Sequence, residues 1–311
     1  MIIPKWVLKT LLQKGIGCLP HSHAVNAWLQ KRITKGFFAD ESTFQKKLEC
    51  CRKHLDYFSH LGNSEIRSAS FLELGTGSWP IVPIGMHICG ISTIQTYDIV
   101  PFLNKETLAC TLRHFRNYID SGKIKDFLPN IQTERLQLFR SILESDFNDP
   151  IKFLSELNID VRIGDASQTT LKHQSIDFIF STVVLEHIPQ QTVGALLSEF
   201  HRISKPTAVM SHLIGLKDQY SDFDKSITPF NFLKYTERQW RFLNNPIIPL
   251  SRLRISDYRQ LIKDNNFKLI DEESDLGSLE ELKSIRLAPE FRNYKDEDLL
   301  PLFAWLVSKP N

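Results

Sequence analysis

The sequence predicts an α/β chain with a parallel sheet covered by helices on both faces. Short apolar runs rich in Val, Ile and Phe alternate with stretches of helical spacing. Several of those runs stop at Gly, Asp or Ser, as buried strands do where they reach a loop. Two blocks, residues 1–62 and about 101–158, carry helical spacing and no strand signal. With 311 residues, 42% hydrophobic and 24% charged, the chain can bury a large core. Its length exceeds the usual single domain and falls short of two, so one large domain with insertions, or a domain plus a small cap, is expected.

The elements follow in order. Pro4 suits a first helical position, and Trp6, Val7, Leu11 and Leu12 continue as an amphipathic stretch. Ser42 and Gln45 read as a capping box, with Phe44, Leu48, Cys51, Leu55 and Phe58 on one helical face. Gly62-Asn63 ends that helical N-terminal region, and the remainder, 63–311, reads as the main domain. Strand one is Phe71 to Leu74, followed at once by Gly75-Thr76-Gly77; Pro80 and Pro83 then suit a helix start or a stiff loop. Strand two, Ile91 to Val100, carries Asp98 near its end. In the helical insertion, Leu108, Leu112, Phe115 and Ile119 form one face and Leu136, Phe139 and Leu143 another. Strand three, Asp160 to Ile163, runs into Gly164-Asp165-Ala166, and strand four, Ile176 to Phe180, into Ser181-Thr182.

A helix beginning near Pro189 has Val193, Leu196, Leu197, Phe200 and Ile203 inward, and Thr207 to Ile214 is strand five. Residues 215 to about 255 are irregular and aromatic, with Tyr220, Phe223, Phe230, Phe232, Tyr235, Trp240 and Phe242 interleaved with Lys234, Arg238 and Arg241. That is long for a plain connection and reads as a lid or as a satellite apolar cluster. Ser256-Asp257 opens another helix with Tyr258, Leu261 and Ile262 inward; Phe267 to Asp271 and Leu302 to Val307 are the last strands, with a capping box at Ser278 and Glu281 between them.

Charge and cysteines exclude several functions. Lys+Arg 38 against Asp+Glu 36 leaves a net charge of +2, too little to hold a polyanion by bulk charge, so nucleic acid is not an expected partner. Cys18, Cys50, Cys51, Cys89 and Cys110 have no zinc-ligand spacing, so no metal site is expected; reduced thiols fit a cytoplasmic protein. Lys5, Lys9 and Lys14 interrupt the apolar start, so no signal peptide is expected, and no stretch has the length of an integral membrane span. A peripheral helix over residues 1–20, with its leucines and lysines at a lipid interface, is a further reading. Oligomeric state is not legible.

The informative residues sit where strands end, which is where an open parallel sheet binds ligands. Gly75 and Gly77 let the backbone turn sharply and approach a ligand. Asp98, twenty-one residues after Gly77, can accept both hydroxyls of a ribose. Asp165 ends strand three, where an acid or its neighbouring backbone can read an adenine edge. Pro80 stands where a dinucleotide loop needs its third glycine, and no Gly-Lys-Ser/Thr phosphate loop occurs.

With Glu73-Leu74-Gly75-Thr76-Gly77, Asp98, Gly164-Asp165-Ala166 and Asp177 to Ile188 in this order, the chain resembles the class I S-adenosylmethionine-dependent methyltransferases over about residues 66 to 311. The resemblance implies a Rossmann-like, seven-stranded, mostly parallel sheet with the last strand antiparallel. It implies S-adenosylmethionine as cofactor, held at Glu73, Gly75, Thr76, Gly77, Asp98, Ile99, Asp165, Ala166 and Ser181. Trp79 stands where the family often has a third glycine, which bears on the shape of the methionine pocket.

Methyl transfer to a high-pKa oxygen benefits from a general base. His187, directly after strand four, is the first candidate, and His212, inside strand five, the second. Glu186 reads as structural, capping neighbouring amides. The expected activity is methylation, most simply at oxygen, of a small-molecule or glycan/lipid-linked acceptor. The alternative is a non-catalytic binding or scaffold protein on the same fold.

Overall fold

A computed structural model describes residues 5–17, 38–143, 149–244 and 249–311. Pro4 and Cys18 lie outside the described residues. The helices used below are α1 (Lys5–Gly17), α2 (Glu41–Leu61), α3 (Ile81–Ile88), α4 (Lys105–Asp120), α5 (Thr133–Leu143), α6 (Pro150–Glu156), α7 (Gln190–Ile203), α8 (Glu237–Leu243) and α9 (Ile255–Asp264). The strands are β1 (Ser70–Leu74), β2 (Thr93–Asp98), β3 (Ile159–Ile163), β4 (Ile176–Thr182), β5 (Ser204–Gly215), β6 (Phe267–Leu276) and β7 (Pro301–Pro310). They form one sheet in the order β3-β2-β1-β4-β5-β7-β6. The first five pair in parallel, and β7 runs antiparallel to both β5 and β6. All seven expected strands are present, with the last one reversed.

Alternation along the strands makes two cores. On one face Phe71, Phe178, Phe180, Val209 and Val307 are covered by α2, α3 and the insertion helices through Leu48, Leu55, Phe58, Ile84 and Phe115. On the other, Leu72, Ile179, Met210 and Leu306 are covered by α7 and α9 through Val193, Leu197, Phe200, Tyr258 and Ile262. Between β2 and β3 the described residues hold helices and no strand, and α6 hands the chain to β3.

Helix α2 is capped differently from the reading above. Asp40, not Ser42, accepts the Thr43 amide at 2.8 Å, and the Gln45 side chain instead donates to the Tyr118 hydroxyl at 2.7 Å. The aspartate lies two residues further upstream, so the helix gains its first half-turn before the serine. Its apolar face is buried as expected. Phe58 packs on Phe71 and Phe178 (ring centroids 4.8 and 5.6 Å), and His54 reaches the hydroxyls of Ser211 and Thr182 at 2.9 and 3.2 Å. The helix therefore runs against the strand direction, and its first half extends toward the carboxyl ends of β1 and β4.

Part of the segment after β5 makes a third core of its own. Phe230, Phe232, Leu233, Trp240 and Leu250 pack with Leu282, Ala288, Phe291 and Leu299. The buried Arg254 guanidinium fastens this unit to the sheet by donating to the carbonyls of Leu216, Leu299 and Pro301. Tyr220 is buried as well, whereas Phe223 and Phe242 are exposed.

Candidate functional site

The carboxyl ends of β2, β1 and β4 lie side by side in the sheet, and the glycine loop leaves β1 between them. Gly75 has φ +79°, and a side chain there would collide with Val184, whose Cγ2 lies 2.6 Å from the position of a β-carbon. Only glycine allows that backbone angle and that close approach together. Gly77 has φ +65° and opens onto free space, room that a ligand can take. The loop is held by two acids. Asp98 accepts the Gly77 amide at 2.7 Å, and Glu73 accepts the Thr76 hydroxyl at 2.6 Å. The Gly164 amide donates to the Asp98 carbonyl at 2.8 Å and brings β3 alongside. Asp165 is exposed there and caps the turn Ala166–Gln168 by accepting the Ser167 amide at 2.8 Å, with Ala166 buried behind it. Beside Asp98, Ile99 is 76% exposed, an apolar side chain at these strand ends.

Trp79 is half-buried and packs against the core on the α2 face of the sheet. The chain after β4 is strained. Val183 has φ +60°, a sterically poor angle for a β-branched residue. It is held by donating to the Leu213 carbonyl at 2.8 Å. This twist feeds the turn Leu185–His187, which presents His187. His187 Nδ1 lies 2.8 Å from the Pro249 carbonyl, an acceptor only, so Nδ1 carries the proton and Nε2 keeps its lone pair. Nε2 faces the Gln219 amide at 3.4 Å. Burial lowers the His187 pKa, so the ring is a neutral base at neutral pH.

Two other candidates sit elsewhere. His212 is buried within the sheet, its Nδ1 2.8 Å from the Ser181 hydroxyl and its ring stacked on Phe200 under α7. Burial pushes its pKa down to about 4. Ser181 and His212 thus pair with each other on the α7 face, and neither side chain reaches the protein surface.

Two more residues lie near these strand ends: Glu186, read above as structural, and Lys47, which the sequence reading did not single out. Glu186 is 1% exposed, yet neither carboxyl oxygen closes a hydrogen bond. It packs against Gly215, where a β-carbon would sit 2.6 Å from Oε1, and the backbone amides of Glu186 and Gly215 favour its charged form. Burial pushes its pKa up to about 8, and that of Glu73 to about 7 and Asp98 to about 6. Lys47 on α2 is the cation whose field offsets part of each rise. It shares a helix face with Cys51 and His54, two turns before His54, and makes no hydrogen bond or ion pair with any described residue. The sequence signal for Lys47 was its place on the apolar face of α2; for Glu186 there was none beyond proximity to His187.

The raised acids carry a pH prediction. The unfolded chain releases their protons near the ordinary value of 4.5, whereas the folded protein keeps them to about 7 and 8. Their stabilising effect is complete at low pH and is lost as pH rises through those values. The buried His54 and His212 act oppositely, but only as pH falls below their ordinary 6.5. Between about pH 6.5 and 8.5 the acids decide, and stability is expected to fall by about 1–2 kcal/mol through Glu186. Glu186→Gln should flatten that slope in denaturant titrations; an unchanged slope would remove Glu186 as its source.

Sheet order and strand directions decide the fold. It is the Rossmann-like, seven-stranded sheet that the resemblance to class I methyltransferases implies. Residues 136–211 match the methyltransferase domain family, a stretch that includes Asp165, Ser181 and His187 but neither the glycine loop nor Asp98. No curated protein matches the chain in sequence. Solved methyltransferase structures resemble it distantly. One is an S-adenosylmethionine-dependent methyltransferase from Methanosarcina mazei (13% identity, 80% of this chain and 95% of that one, TM-score 0.42). Another is a geranyl diphosphate C-methyltransferase from Streptomyces coelicolor, solved with Mg2+, geranyl diphosphate and S-adenosyl-L-homocysteine (9%, 88% and 83%, 0.45). A third is an S-adenosylmethionine-dependent methyltransferase from Mesorhizobium loti (13%, 79% and 93%, 0.42). Likeness at this level says nothing about an acceptor.

Proposed function

We propose that the chain is an S-adenosylmethionine-dependent methyltransferase acting at oxygen on a small-molecule or glycan/lipid-linked acceptor. The observation that carries this reading is the braced glycine loop, with Gly77 open to free space and Asp98 beside it. The site fits such a cofactor. Gly77 leaves room for its chain, the Asp98 oxygen not bonded to Gly77 suits a ribose hydroxyl, and Ile99 with the Asp165-Ala166 backbone suits a flat apolar base. Bound there, the cofactor supplies an electrophilic methyl group on a sulfonium. Glu73 keeps the loop in shape through Thr76. His187 Nε2, its ring fixed at Nδ1 by Pro249, takes the proton of an acceptor hydroxyl. Gln219 and Pro249 both lie in the segment after β5, so the same segment orients the base and covers the acceptor side.

The test is thermal titration with S-adenosylmethionine and S-adenosylhomocysteine, followed by labelled-cofactor methylation of cell extract. A ligand that binds only the folded state raises the melting temperature. No shift with either compound would sink the reading in favour of a cofactor-free scaffold.

Lys47 gives a sharper expectation. A cation beside Glu186, whose pKa of about 8 keeps it largely protonated near neutral pH, favours a ligand carboxylate, and the cofactor has one at its methionine end. Lys47→Met is expected to weaken S-adenosylhomocysteine binding by about tenfold and to reduce its salt dependence. Binding of 5′-methylthioadenosine, which lacks the amino-acid head, should be unchanged. Equal losses for both ligands in calorimetry would mean that Lys47 acts on the fold instead.

A further inference from the structure

Helix α1 is packed the wrong way round for a helix that serves only its own domain. It buries Trp6 and Thr10 against the segment after β5. The Trp6 ring lies 5.8 Å from Tyr220 and 5.9 Å from Tyr235, its amide donates to Asp224 at 3.1 Å, and the Tyr220 hydroxyl donates to Gln13 at 3.2 Å. Its leucines face outward: Leu8 is 63% exposed, Leu12 60%, and Leu11 is exposed between them. The apolar surface continues onto the neighbouring segment, because Lys9 sits 4.6 Å over the exposed ring of Phe223 and Lys14 sits 4.1 Å over that of Phe242. The informative anomaly in a folded protein is a contiguous exposed patch of large apolar side chains, and this one joins two elements.

Its charge selects the partner. Helix α1 has Lys5, Lys9 and Lys14 and no acid, and Arg238 shares the face of α8 that carries Phe242. The nearby acids are engaged: Asp222 with Lys217 at 2.6 Å, and Asp224 with the Trp6 amide and Ser226. Leucine and phenylalanine ringed by cations match the headgroup–acyl boundary of an anionic bilayer; a neutral apolar partner would leave the lysines unanswered. We propose that α1, together with Phe223 and Phe242, docks on an anionic lipid surface. The leucines enter the boundary and Lys5, Lys9, Lys14 and Arg238 meet lipid phosphates. The docking face belongs to the same segment that fixes His187, so docking turns the site toward an acceptor in the membrane. That consequence rests on the proposed function; the docking itself does not.

Vesicle flotation of the full chain tests this. The protein is expected to float with phosphatidylcholine vesicles containing about one third phosphatidylglycerol, and to do so far less with pure phosphatidylcholine or at high salt. Leu8→Glu/Leu12→Glu should reduce the floated fraction about tenfold or more, at unchanged melting temperature and unchanged S-adenosylhomocysteine binding, since both side chains point outward. Lys9→Glu/Lys14→Glu should reduce flotation on anionic vesicles alone. A wild-type chain left in the soluble fraction with anionic vesicles would overturn the proposal. So would a lipid-free dimer that the leucine variant dissociates, which would assign the patch to a second copy of the chain.

Discussion

His187→Ala is expected to lower turnover by about 10²–10⁴-fold while leaving cofactor affinity nearly unchanged. The ring is presented by the turn that follows the strained Val183, and its Nδ1 proton is committed to Pro249. Only Nε2 can accept a proton, and the Gln219 side chain faces it at 3.4 Å. Asparagine at this position can hold a hydrogen bond to the Pro249 carbonyl but cannot take a proton near neutral pH. His187→Asn should therefore be nearly as slow as the alanine variant if the residue is a base, and should retain most activity if it only orients the acceptor. Because burial holds the His187 pKa below its usual value, the wild-type rate should rise with pH and level off below the range of an ordinary histidine. A wild-type rate in the alanine variant, measured once an acceptor is found, would discard the assignment.

Asp98→Ala is expected to weaken cofactor binding by about ten- to more than a hundredfold. Two losses add in one substitution. The carboxylate proposed to meet the ribose is gone, and the Gly77 amide loses the acceptor that holds the glycine loop at 2.7 Å. Burial raises the Asp98 pKa to about 6, so its charged form is lost as pH falls through that value. Wild-type affinity should decline from about pH 8 to about pH 5, whereas the alanine variant, already weak, should show a much flatter profile. Calorimetry at both ends of that range reads the difference. An affinity equal to wild type at pH 8 would take Asp98 out of the site.

Sequence alone determined the strands and their order along the chain, because Phe71 to Leu74, Ile176 to Phe180 and Thr207 to Ile214 are apolar runs too short for helices and too continuous for loops. It also marked the glycine loop and Asp98, since a positive φ and a carboxylate at a strand end leave a signature in residue type. Tertiary structure decided what residue type cannot encode. Glu186 and Ser181 are both polar residues near the end of β4, yet Ser181 is satisfied by His212 on one face of the sheet while Glu186 is wedged unpaired against Gly215. Which of them is satisfied depends on what β5 places opposite, and β5 lies some thirty residues away. Lys47 reads as one more lysine on a helix until the direction of α2 across the sheet carries it toward the strand ends. The outward leucines of α1 follow the same logic. Helical spacing shows that a stripe exists, but the neighbouring segment, by offering Tyr220, Tyr235 and Asp224 to Trp6, determined which side of the helix was buried.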